Sequence, residues 1–92
     1  TLISNVPCIN GKRIDIFLYS GNDLTNIKLQ LSAAQGQIVV TTAALGTATG
    51  GTETCFTWGD TADEAIGESF SIIATNGEAS AAYVDVWVCV RT

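Results

Sequence analysis

The chain has 92 residues and a formal net charge of −5, with four Lys and Arg against nine Asp and Glu and no histidine. Of the cations only Lys12 and Arg13 are adjacent, so there is no basic stripe to grip a nucleic acid or an anionic membrane surface. A hydrophobic content of 47% with 14% charged residues excludes a disordered polymer, and without a run of about 18 apolar residues no membrane insertion is expected.

Taken in order, residues 1–7 form a short entry segment in which Pro7 lacks a ladder donor and belongs at an edge or a break. Asn10-Gly11 then reads as a type I′ hairpin turn, setting Ile9 opposite Lys12 and Cys8 opposite Arg13. Residues 12–19 alternate: Ile14, Ile16 and Leu18 share one face, while Arg13, Asp15, Phe17 and Tyr19 share the other. After the turn cluster Ser20-Gly21-Asn22-Asp23, residues 25–31 alternate again with Ile27, Leu29 and Leu31 inward. Ala33-Ala34-Gln35-Gly36 reads as a turn and residues 37–42 as a β-branched strand. Residues 43–53, rich in Gly, Ala and Thr and without periodicity, read as the long loop of the domain.

Residues 54–59 read as a strand with Phe56 and Trp58 on one side. The acidic stretch 60–68 holds the one helix-compatible run, Thr61-Ala62-Asp63-Glu64-Ala65-Ile66, long enough for one or two turns. Residues 69–75 alternate as a strand, and Asn76-Gly77 is a second hairpin signal. The chain ends on residues 82–92, where Val84, Val86, Val88 and Val90 share one face and Tyr83, Asp85, Trp87, Cys89 and Arg91 the other. About seven strands without a βαβ rhythm predict one all-β domain over residues 1–92: an antiparallel two-sheet sandwich, of jelly-roll, Greek-key or immunoglobulin-like order.

Three cysteines, Cys8, Cys55 and Cys89, without a CxxC spacing or any histidine give a zinc site too few ligands. Two readings stay open: three reduced thiols, or a secreted chain with a Cys8–Cys89 disulfide. The Thr1 start and the lack of methionine imply removal of an initiator Met or of a longer leader.

Chemistry is poorly supplied. The commonest general base is absent. Asp60, Asp63, Glu64 and Glu68 lack the alternating spacing of a calcium loop and read as a solvated acidic segment. No catalytic, cofactor-binding or metal-ligating residue is assigned, and the chain is expected not to be an enzyme. The informative constellation is the second face of two strands, where aromatics mix with opposite charges; exposed aromatics with Arg are what protein interfaces enrich. Its members are Arg13, Phe17, Tyr19, Tyr83, Trp87 and Arg91. The competing readings are that a loop or the entry segment covers this face, or that its aromatics stack on sugar rings.

The loop 43–53, the turns Asn10-Gly11 and Asn76-Gly77, the scarcity of Lys and Arg and the valine-rich end strand together resemble the small all-β decoration or cement proteins of tailed phage capsids. That resemblance implies a compact sandwich, made in a host cytoplasm with reduced thiols, that self-associates as dimers or trimers and binds the lattice of a virion surface. The expected function is thus a structural interaction protein of a larger symmetric particle. The alternative is a secreted, extracellular binding module for protein or carbohydrate with one disulfide.

Overall fold

The alternating segments become seven strands: β1 (Ile3–Pro7), β2 (Arg13–Ser20), β3 (Leu24–Ser32), β4 (Val39–Ala48), β5 (Thr54–Trp58), β6 (Ser69–Asn76) and β7 (Val84–Arg91). They come from a computed structural model that describes residues 2–9, 11–32, 39–59, 66–78 and 83–92. All pairings are antiparallel. One sheet has the order β1-β6-β3-β4 and the other β5-β2-β7, so the fold is the expected two-sheet β-sandwich. No helix among the described residues is long and apolar enough to cross a membrane.

The core lies between the sheets. Ile14, Ile16 and Leu18 of β2 face Ile27, Leu29 and Leu31 of β3 and Phe70 and Ile72 of β6, all buried. These are the positions that period-two alternation selects. The terminal valines Val84, Val86, Val88 and Val90 pack against this core but are only half-buried. The reason is position: β2 is the middle strand of its sheet, whereas β7 is an edge.

Only β3 and β4 are both consecutive and hydrogen-bonded to each other; the remaining connections cross between sheets. The β2–β3 segment runs antiparallel beside the β6–β7 segment, with β2 on β7 in one sheet and β3 on β6 in the other. Both segments change sheets at the same end of the sandwich. Asp23 holds them together there. Its carbonyl accepts from Gly77 N at 2.8 Å, its amide donates to Glu78 Oε2 at 2.7 Å, and its Oδ1 accepts from Gly50 N at 2.7 Å. Three crossing loops are thus satisfied by one residue. This strand order departs from the immunoglobulin arrangement, in which β1 would pair with β2 and β6 with β7.

Both expected hairpins are corrected on the same ground. β1 and β2 lie in different sheets, and β1 pairs with β6 through Ile3↔Ile72 and Val6↔Phe70. Cys8 therefore does not face Arg13; it enters the core, and Gly11 N closes a turn onto Cys8 O at 2.8 Å. Gly77 follows β6, but β7 belongs to the opposite sheet. An Asn-Gly pair signals a tight reversal, and here the reversal is a crossing from sheet to sheet rather than a two-strand ribbon. Pro7 does sit on an edge strand, as its missing donor requires.

The long loop 43–53 is also corrected: β4 runs on through Ala48, and only residues 49–53 connect it to β5. Ala and Gly have low strand propensity, but the unpaired edge of β3 supplies ladder partners, Leu24↔Ala48 and Ile27↔Gly46 among them. Gly46, at φ 142°, lies opposite the register shift where Asn26 takes φ 50°, a left-handed conformation that Asn tolerates better than most residues. The expected turn at 33–36 lies outside the described residues, as do residues 61–65 of the helical run 61–66.

The apolar faces of β2 and β7 predict different costs. Ile16→Ala, at a fully buried position in the middle strand, should lose about 3 kcal/mol in urea unfolding, and Val86→Ala about 1 kcal/mol. Equal losses would mean that β7 is as deeply buried as β2.

Candidate interaction face

The outer face of the β5-β2-β7 sheet is built in rows by its register. Cys55, Phe17 and Trp87 form one row across β5, β2 and β7; Thr57, Asp15 and Cys89 form the next. Arg13 stands opposite Arg91, and Tyr19 opposite Asp85. Two arginines facing each other would repel, but Asp15 lies between them. Arg13 Nε donates to Asp15 Oδ1 at 2.8 Å and Arg91 Nε to Asp15 Oδ2 at 2.7 Å. Thr57 Oγ1 adds a third bond to Oδ1 at 3.2 Å. One carboxylate thus joins all three strands on their outer side.

Asp15 is shielded by these partners to 3% exposure, while the arginine side chains remain 44% and 58% exposed. The Arg91 hydrogen bond, followed by that of Arg13, holds the Asp15 pKa down at about 2. The same pairing pushes the Arg91 pKa up. Asp15 is therefore ionised and engaged at neutral pH, which suits it to holding a surface together and not to exchanging protons.

The six residues singled out from sequence are largely brought together. Phe17 and Trp87 are direct cross-strand neighbours, and Arg13 and Arg91 share Asp15. Trp87 is 76% exposed, and Tyr83, one residue before β7, is 74% exposed. Phe17 and Tyr19 are less open, at 38% and 39%. Phe17, Tyr19, Trp87 and Arg91, together with Glu53, Asp85 and Cys89, line an open depression of about 770 Å³. Arg13 and Tyr83 lie outside that lining. None of the described residues covers this face as a loop or the entry segment would: the entry strand β1 belongs to the other sheet.

Cys55 and Glu53 were not singled out from sequence, whereas Asp15 was expected, with Asp85, as a candidate partner of Arg13 or Arg91 across the ladder. Glu53 reaches the depression because it immediately precedes β5, where Thr54 lies opposite Leu18, and shares the outer side of Cys55 by alternation. The opposite sheet offers a contrast. Its outward positions Lys28, Gln30, Thr42, Ala44, Ser71, Ile73 and Thr75 include no aromatic residue.

All three cysteines are free thiols. Cys8 is buried, donates to Gly67 O at 3.3 Å, and has its pKa raised by burial. Cys89 belongs to the outer face of β7, across the sheet from the core, so a Cys8–Cys89 bond is not formed. Among the described residues no group of three or more His, Cys, Asp and Glu is placed to hold a metal ion. No protein-family model matches the chain, and no curated protein or solved structure matches it.

The charge on Asp15 gives a pH signature. Its folded pKa of about 2 lies below the ordinary 3.8, so its stabilisation is complete above pH 3.8 and is lost as pH falls toward about 2. Asp15→Asn should lower the urea midpoint at neutral pH, and the gap from the native chain should narrow across that acid window. A gap of constant size would show that Asp15 acts through shape and not charge.

Proposed function

We propose that this is a non-enzymatic structural interaction protein that docks onto a larger symmetric particle through the outer face of its β5-β2-β7 sheet. The observation that carries the reading is the exposure of Trp87 beside Phe17 on a face whose strands are joined by Asp15. An exposed aromatic beside another aromatic, on a sheet face that also carries arginine, resembles the centre of a protein contact. It is also preorganised, since the Asp15 network fixes the strands before any partner arrives. The resemblance to capsid decoration proteins suggests a virion surface as the setting.

Carbohydrate is the second reading, favoured by the same aromatics and by the carboxylates of Glu53 and Asp85 at the depression. It is weaker because, among the described residues, no Asn or Gln side chain lines the depression.

Quantitative mass spectrometry of virus particles purified from the source of this sequence tests the proposal. The chain should be found in a fixed number per particle; its absence from particles, with the chain wholly in the unassembled fraction, would contradict the reading. Trp87→Ala should keep the thermal unfolding midpoint nearly unchanged and weaken particle binding at least tenfold, since a central interface aromatic is worth about 2 kcal/mol or more. A variant that unfolds instead would place Trp87 in the core.

A further inference from the structure

The four strand edges of the sandwich are not equivalent. An open edge presents unpaired backbone groups that can template another strand, and natural sheets blunt such edges with proline, bulges or shortness. β1 carries Pro7 and a register shift at Asn5, which sits at φ 53°. β4 has irregular register with β3 at three places. β5 is only five residues long. β7 alone is long and regular: eight residues, in unbroken register with β2 from Arg91 to Val84 and without proline or glycine. No strand among the described residues pairs with its other side.

We infer that β7 pairs edge to edge with β7 of a second copy, antiparallel about a two-fold axis at Val88, to form a continuous β5-β2-β7 sheet across both chains. The inference rests on the proposed role of this face as a protein contact and names one partner for it. The side chains of β7 set the register. With Val88 opposite Val88, Val86 meets Val90 on the inner face. On the outer face Trp87 meets Cys89, and Asp85 meets Arg91. By symmetry each of these contacts occurs twice, save the Val88 self-pair on the axis. Shifting the register by two residues places Asp85 opposite Cys89 in one direction and beyond the strand in the other, so only this alignment matches both charges. Matching them matters, because two chains of net charge −5 otherwise repel. Asp85 is exposed, and Arg91, although tied through Nε to Asp15, keeps 58% of its side chain open. Trp87 then lies in the middle of the joined sheet instead of at its margin.

Sedimentation velocity over a concentration series tests this on the full chain. The native protein should form a dimer, and Asp85→Lys, which reverses two charge pairs, should weaken it about ten- to a hundredfold while leaving the monomer folded. A cross-link provides the second arm. In a Cys55→Ser background, Trp87→Cys brings a thiol opposite Cys89 of the second copy, within the reach of a strand-to-strand disulfide. Mild oxidation should give a covalent dimer that disappears when Cys89→Ser is added. A native chain that stays monomeric at high micromolar concentration overturns the pairing. So does a dimer that Asp85→Lys leaves unchanged and Cys89 does not cross-link. Either result, with the chain still present on particles, leaves the proposed function standing. A β7 dimer that is absent from particles does the opposite: it supports the pairing and overturns the particle docking.

Discussion

Everything in this molecule depends on the apolar layer between β2 and the β3–β6 pair. Ile14, Ile16 and Leu18 lose nearly all contact with water on one side, and Ile27, Leu29, Phe70 and Ile72 on the other. A domain this small buries a modest fraction of its surface, so it has one such layer and cannot cover both faces of each sheet. Once β2 occupies the middle of the three-stranded sheet, β5 and β7 become edges and the valines of β7 become the rim of the core. The outer face of β2 is then left to water, and its chemistry is free to serve another purpose.

That face is maintained by a polar device. Removing a carboxylate from water is costly unless its hydrogen bonds are replaced. Asp15 meets the condition with two arginines and a threonine drawn from all three strands. The arginines keep much of their side chains exposed, so part of their hydration is retained while they shield the acid. Around this network stand the aromatics, concentrated on one sheet and missing from the described outward positions of the other. The asymmetry leaves the exposed aromatics on one side of the sandwich.

Much of this was legible from residue order alone, where alternation was strong. The inward sets of β2, β3 and β6 and the outward set Arg13, Phe17 and Tyr19 follow from period two. The partnership of an arginine with Asp15 was foreseeable once the two strands were taken as neighbours. The failures share a cause. Asn10-Gly11 and Asn76-Gly77 specify local reversal, but whether a reversal makes a ribbon or crosses between sheets depends on which distant strand offers an edge. Residues 43–48 have weak propensity of their own and become strand because β3 lies beside them. Cys8 is buried because β1 docks on β6, a strand far along the chain that no local pattern near Cys8 points to.

On the proposed function, partners meet the side of the sandwich that carries Trp87. Hydroxyl-radical footprinting with mass spectrometric readout measures this directly, comparing the isolated chain with the assembled one. Tyr83, Trp87 and Tyr19 should react readily in the isolated chain and become protected on assembly, while residues of β4 and the outer face of β3 keep their reactivity. Protection of the β1-β6-β3-β4 face, with Trp87 equally reactive in both states, would contradict that assignment.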